Sequence, residues 1–396
     1  MPLYPTRLVY PTRLGRYETT VAGGETVRAF IPPPLPPIPA VDLSGLQVAL
    51  EQANQTVGRL DGIASVLPDP SLFLYMYIRK EALLSSQIEG TQSSLSDLLL
   101  YEADEAPGVP IDDAREVSNY VTAMNHGLQR LRDDFPLSLR LIREIHAKLL
   151  SKGRGQDKDP GEFRRSQNWI GGTRPGNALF VPPPPHLVMD CLGALETFIH
   201  ADTSDLPLLV KAALVHVQFE SIHPFLDGNG RLGRLLITFL MCERGILREP
   251  LLYLSLFFKQ NRETYYQLLQ AVRERGEWET WLEFFLRGVT DTARQGTRTA
   301  QSLLRLFHED RARIEDLGRP AATALRLHQF LQRRGLTTIP SASRQLGLSQ
   351  PTVTSAIAHL QTLGIVRETT GRQRGKIYMY GTFLDLLSEG TDPLPR

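Results

Sequence analysis

The sequence predicts a mainly α-helical protein with a small β-hairpin flap and a basic winged helix-turn-helix unit toward its C-terminal end. Three observations carry this. Apolar residues recur at three- and four-residue spacing over most of positions 41–313. The turn signals Gly171-Gly172 and Pro175-Gly176-Asn177 separate the short apolar pieces Trp169-Ile170 and Leu179-Phe180-Val181, and four prolines follow at Pro182 to Pro185. Beyond Pro320 come a helical pattern, a short second one, the turn Gly347-Leu348-Ser349, a third helix capped by Ser349, and two strand-like pieces flanking a basic turn.

At 396 residues the chain has room for two or three domains, each with its own core. The net charge of +1 is unevenly spread. Positions 321–380 carry Arg326, Arg333, Arg334, Arg344, Arg367, Arg372, Arg374 and Lys376 against the single acid Glu368, so the rest of the chain is acidic on balance. A basic segment suits a polyanionic partner such as DNA, and an arginine-rich solvated face has the same composition. Cys191 and Cys242 lie far apart in apolar surroundings, which predicts buried free thiols in a reducing compartment. No apolar run approaches the roughly 18 residues of a membrane span, and the first residues lack the apolar core of a signal peptide. The expectation is a cytoplasmic protein with no membrane contact.

In chain order, residues 1–40 are rich in proline and glycine, with Tyr4-Pro5-Thr6-Arg7-Leu8 echoed at Tyr10-Pro11-Thr12-Arg13-Leu14. They read as an extended arm draped over a neighbour. Residues 41–110 read as an N-terminal helical region in which Leu72 to Ile78 is buried and a helix stops at Gly90. Glu89 then falls in the last turn, where the helix dipole disfavours an acid; a solvated surface carboxylate is the bland alternative. Residues 111–318 read as the core. It has helices near 113–132 and 139–150 and the flap, then a helix capped by Asp205 with Leu208, Ala212, Val215, Phe219 and Ile222 on one stripe. That helix delivers His223, and His216 one heptad earlier reads as a hydrogen-bonded core residue. Helices follow over 261–275 and 279–313, with a linker at Gly318-Arg319-Pro320. Residues 319–388 form the winged unit.

The chain is organised around His223-Pro224-Phe225-Leu226-Asp227-Gly228-Asn229-Gly230-Arg231-Leu232-Gly233-Arg234. Three glycines in six positions, followed at once by an apolar run, describe a loop that feeds a helix. Unpaired amides at a helix N-terminus favour an anion, and glycine lets it come close. If a nucleoside triphosphate sat there, Gly228, Asn229 and Gly230 would line its phosphates and Arg231 and Arg234 would offset their charge. Asp227 would need a bridging cation, for which Mg²⁺ is the natural choice, and His223 would be suited to take a proton near neutral pH. A purely structural loop satisfies the same composition, since neither a Walker A lysine nor a preceding strand is present.

The stretch His223 to Arg234 matches the His-Pro-Phe-x-Asp-Gly-Asn-Gly-Arg-x-x-Arg motif without departure, and on it the chain resembles the Fic (Fic/Doc) family. Ser85-x-x-x-Glu89-Gly90 resembles that family's inhibitory motif, and Asn168 to Pro185 resembles its flap. The resemblance implies a Fic-type helical core that transfers AMP from ATP to a Ser, Thr or Tyr hydroxyl of a target protein, or of the chain itself, releasing pyrophosphate. It implies His223 as general base and Asp227 as the Mg²⁺ ligand. Asp227, Gly228, Asn229, Gly230, Arg231, Leu232, Gly233 and Arg234 would be the ATP-binding residues. Ser85, Glu89 and Gly90 would be inhibitory, with Glu89 occupying Arg234 in the resting state. Ile170, Gly171 and Gly172 would register the target by strand addition, and Tyr265 and Tyr266 would line the adenine pocket. A homodimer, and DNA or protein at the winged unit, are further expected partners. Two other readings remain open: a DNA-binding regulator with a sensory or inactive core, and a Fic enzyme of different donor or direction, such as AMP removal, UMP transfer or phosphoryl transfer.

Overall fold

The structure, a computed structural model, describes residues 13–65, 70–102, 111–202, 205–371 and 373–394. The first of these depart from an extended arm. β1 (Arg16–Ala22) and β2 (Glu25–Ile31) pair antiparallel across Gly23-Gly24, both at positive φ. Two glycines in the left-handed region make a two-residue turn whose twist suits a hairpin, and Val, Thr and Phe on either side favour a pleated backbone. The Gly-Gly signal at 23–24 is the one the composition of residues 1–40 masked. The draping itself is present: Gln218 Nε2 donates to Pro33 O at 2.7 Å, and Trp278 Nε1 donates to Arg13 O at 3.1 Å. The Tyr-Pro-Thr-Arg-Leu repeat lies outside the described residues up to Thr12.

The helices then follow in order: α1 (Gln47–Ser65), α2 (Pro70–Ile88), α3 (Leu95–Glu102), α4 (Ile111–Arg132), α5 (Leu139–Leu149), α6 (Pro185–His200), α7 (Leu208–Ile222), α8 (Asn229–Glu243), α9 (Ser255–Gln260), α10 (Arg262–Arg275) and α11 (Trp278–Glu315). The centre is α7, buried from Leu209 to Ile222 on all sides, whereas the sequence predicts a single apolar stripe. Mostly apolar, with Lys211, His216, Gln218 and Glu220 buried among the rest, α7 packs against α6, α8, α10 and α11. Asp205 is not its cap; Pro207 occupies that position without a side-chain bond, and its missing N–H is no loss where no partner exists anyway. Glycine sets one helix crossing. A Cβ on Gly127 of α4 would overlap the ring of Phe239 in α8.

After α11 come α12 (Ala321–Arg334), β3 (Leu336–Thr337), α13 (Ile339–Leu346), α14 (Gln350–Thr362), β4 (Val366–Glu368), β5 (Tyr378–Tyr380) and α15 (Gly381–Ser388). The strands form an antiparallel sheet in the order β3-β5-β4. Thr338 and Ser349 accept backbone N–H bonds at the starts of α13 and α14. Arg372 of the basic turn lies outside the described residues. The linker at Gly318 does not set this unit apart, because one continuous apolar cluster runs from Leu46 to Leu387.

Cys191 and Cys242 are free as expected, but half-buried rather than buried. Among the described residues no helix is long and apolar enough to cross a membrane.

Candidate active site

The loop after α7 is positioned from both ends. His223 is the C-cap of α7 in a left-handed conformation, φ 48°, with its N–H on Phe219 O at 2.9 Å. That conformation is uncommon for a residue with a side chain. Arg164 holds it: Nε donates to His223 O at 2.9 Å and Nη2 to Ile222 O at 3.4 Å, while the Arg164 N–H donates to Pro224 O at 2.9 Å. Asn229 then folds back on the turn, accepting from Phe225 N at 2.9 Å and donating to Phe225 O at 2.8 Å. Gly228, at φ 78°, caps α8.

His146 braces the loop from α5. Its Nδ1 accepts from Gly161 N at 2.8 Å, which leaves the proton on Nε2 to donate to Asp227 O at 3.0 Å. The ring stacks on Phe225 at 3.7 Å, and burial lowers its pKa to about 4, so this tautomer persists at neutral pH. Asp227 Oδ1 accepts from Gly228 N at 2.6 Å and from Arg231 at 3.3 Å. Arg231 is itself buried and gives Nη1 to Glu116 of α4 at 2.7 Å. It therefore steadies Asp227 rather than standing free to grip an anion.

The two halves of the predicted site meet at Arg234. From the first turns of α8, Arg234 Nε donates to Ser85 Oγ at 2.9 Å, and Nη2 donates to Ser85 O at 3.0 Å and to Glu89 Oε1 at 2.7 Å. Glu89 lies just past the end of α2, and Gly90, at φ 104°, turns the chain away. Burial alone would raise the Glu89 carboxyl; Arg234, helped by Arg231 and His223, outweighs it and holds the pKa below the ordinary value. Glu89 leans over the start of α8 so closely that a Cβ on Gly230 would overlap Oε1. The cleft bounded by Glu89, Arg154, His223 and Asp227 to Arg231 holds about 120 Å³. Ordinary small-molecule sites run from about 300 Å³ upward.

Burial, then Arg273 and Arg164, lower the His223 pKa to about 3, so its ring is neutral near pH 7. Its Nδ1 is buried with no partner. Glu220, one turn earlier, is the reverse case: burial raises its carboxyl to about 7.

Other predicted residues sit differently. Leu232 points into the core, and only its backbone could face a ligand. Tyr265 is fully buried and gives its hydroxyl proton to His216 Nε2 at 2.8 Å, while His216 Nδ1 donates to Gly233 O at 3.0 Å. His216 is thus the predicted core residue, and Tyr265 is a support of α8 rather than a wall of the cleft. Tyr266 beside it is 40% exposed. The flap is narrower than a hairpin: Ile170 and Phe180 form a single antiparallel bridge, with Gly171 and Gly172 at positive φ and a 3₁₀ turn at Pro175–Asn177 between them. Two left-handed residues directly after Ile170 stop the ladder from extending. Its outer side exposes Trp169 and Leu179. Glu116, His146, Arg164 and Glu220 carry no sequence signal, since their partners lie on distant elements.

Two family models match the chain, the Fic/DOC family N-terminal model over residues 47–129 and the Fic/DOC family model over residues 136–241. This chain carries the Fic/DOC domain and its N-terminal module. The Fic domain runs from just before α5 into α8 and includes the whole loop, and the N-terminal module includes Glu89. Curated relatives named protein adenylyltransferase Fic, from Culex quinquefasciatus and Aedes aegypti, are 33% and 34% identical over 192 residues, covering 47% of this chain and 35% of each relative. The chain thus spans about a third of the length of these relatives. Among solved structures, a Fic family protein from Desulfovibrio desulfuricans G20 has a TM-score of 0.53 at 19% identity, covering 84% of this chain and 95% of that one. A Fic domain containing signaling protein from Bacteroides thetaiotaomicron VPI-5482 has a TM-score of 0.50 at 20% identity, over 63% and 97%. These likenesses establish the fold.

Proposed function

We propose that this chain is a protein adenylyltransferase held off by its own Glu89. The target hydroxyl gives its proton to His223 as its oxygen attacks the α-phosphorus of ATP. The bond from that phosphorus to the bridging oxygen breaks, pyrophosphate leaves, and AMP stays on the target. The observation that carries the reading is the 2.7 Å pair between Glu89 and Arg234, which ties the start of α8 to a carboxylate at the mouth of the His223 loop. A carboxylate there does to Arg234 what a terminal phosphate would do, and the two cannot share it. The name of the relatives, protein adenylyltransferase, supports the reaction class.

His223 suits the base role because it is neutral and held in a fixed conformation. Asp227 suits a divalent cation: Mg²⁺ takes one or two carboxylates and completes its shell with phosphate oxygens and water. Among the described residues no three acidic, His or Cys side chains are grouped to hold a metal alone, so the nucleotide would supply most of that shell. The cation would offset phosphate charge. The flap offers Ile170 and its neighbours for strand addition, and the exposed Leu179 and Trp169 give a target segment apolar contact. Replacing His223 by Ala is expected to lower AMP transfer by roughly 10²- to 10⁴-fold. Transfer of label from α-labelled ATP at the unaltered rate would remove His223 from the role.

A second reading, duplex DNA binding through residues 319–388, is compatible with the first. It is favoured by the helix-strand-helix-helix-strand-strand order of a winged unit and by the exposed Arg374 and Lys376 between β4 and β5. Binding through phosphates must weaken steeply with salt, so a titration between 50 and 200 mM salt with no loss of affinity would count against it. A reducing cytoplasm, self-modification and a homodimer belong to the same proposal.

A further inference from the structure

The end of α2, just before Glu89, is held by a second segment of the chain. The residue two positions before Glu89, Gln87, is buried, and its Nε2 donates to Ser93 O at 2.9 Å and to Thr391 O at 2.8 Å. Thr391 belongs to the segment that follows α15. Its N–H returns to Ser388 O at 2.9 Å and its hydroxyl donates to the same carbonyl, which closes a compact turn. Lys259 of α9 grips this turn, donating Nζ to Gly390 O at 3.1 Å and to Asp392 O. Gly390 has φ 78°, and a Cβ there would stand 2.8 Å from Leu256 Cδ1, so only glycine lets the turn lie flat on α9. Just before it, Leu387 is buried and lines one small apolar gap with Phe73 and Met76 of α2.

The contact is well packed but poorly satisfied. Ser86 Oγ, Gln87 Oε1, Thr91 Oγ1 and Ser93 Oγ, all around the end of α2, are buried with no hydrogen-bond partner. Lys80 Nζ of α2, 4.7 Å from the Tyr253 ring, has no hydrogen-bond partner either, and its counter-charge comes from Glu389 in the same turn. Buried polar groups without partners raise the free energy of the arrangement that buries them. Release of the turn would let water reach some of these four side-chain oxygens, which offsets part of the cost of unseating it.

We propose that residues 388–392 are a latch: seated between α2 and α9 they hold the end of α2, and their release loosens the grip of Glu89 on Arg234. The input is movement of α15 against α2, the two elements that carry the latch and the inhibitory residue. The latch rests on the reading of Glu89 given above, and goes beyond it by naming what sets the strength of that inhibition.

The test uses the full chain with Gly390→Val, which cannot seat the turn, and a second variant that ends after Ser388. Hydrogen exchange of residues 84–94 and self-modification by ATP are read side by side, with exchange in α7 as the control for intact folding. Both variants are expected to exchange about tenfold faster over 84–94 with α7 unchanged, and to raise AMP transfer toward the level of Glu89→Gly. In the Glu89→Gly background they should add nothing. Unchanged exchange over 84–94 overturns the latch, as does faster exchange with transfer still at the resting level while Glu89→Gly is active. If Glu89→Gly itself leaves transfer unaltered, the reading of Glu89 fails separately. The latch then stands or falls on the exchange of 84–94 alone.

Discussion

Arg234 is the residue on which the site turns, and its surroundings set the charge chemistry. It is buried, bonded twice to Ser85 and once to Glu89, and the carboxylate more than reverses what burial does to its pKa. Because the Glu89 pKa is depressed, the pair is complete above the ordinary carboxylate range and is lost only as pH falls through the lowered value. On the proposed reading of Glu89, inhibition is therefore expected to be flat with pH from about 6 to 9. Glu220 behaves oppositely. Its ordinary pKa of 4.5 rises to about 7 in the fold, so between those values the folded chain keeps a proton that the unfolded chain releases. Stability falls as pH rises through that window, and Glu220→Gln should flatten the fall in urea midpoints measured at pH 5 and 7.5. The buried Glu116–Arg231 pair makes a third expectation: Glu116→Ala leaves a buried guanidinium without its main partner and costs about 3 kcal/mol in denaturant unfolding. The loop and Glu89 were legible because both are local patterns. Glu116 was not, because its partner lies 115 residues away and nothing near it in the chain marks the pairing.

At the scale of elements, long helices announced themselves and short or masked ones did not. α4, α5 and α10 fall within two residues of their expected bounds, since periodicity and caps agree there. β1 and β2 were hidden by prolines downstream, and the flap shrank to one bridge because Gly171 and Gly172 both turn left-handed. Helices α9 and α15 have no side-chain cap to mark their starts. Glycines separate packing from propensity in a measurable way. Gly127→Ala should destabilise by about 1–3 kcal/mol, because its Cβ would overlap the Phe239 ring between α4 and α8. Gly58→Ala in α1, with nothing within 4 Å of the added carbon, should stabilise by about 0.8 kcal/mol. Thermal melts of both variants check the pair, and a shift of equal sign would contradict this account of the α4–α8 crossing.

For the whole molecule, the way its parts share one core could not be read from composition. Tyr380 of β5 donates to Asp310 of α11 at 2.7 Å and meets His328 of α12 at 3.1 Å, all three buried. Such a network, with the continuous apolar cluster around it, fastens the C-terminal unit to α11. A single calorimetric unfolding transition is expected; two well-separated ones would mean the linker at Gly318 does divide the chain. This tight construction is also what lets a residue of α2 reach Arg234 of α8. The most direct test of that arrangement is intact-mass spectrometry of the wild-type chain, Glu89→Gly and Glu89→Gly/His223→Ala, each incubated with ATP and Mg²⁺. The account predicts AMP adducts that are sparse on the wild-type chain, abundant on Glu89→Gly and lost again in the double variant. Equal adducts on the wild-type chain and Glu89→Gly, or adducts that survive the loss of His223, would contradict it.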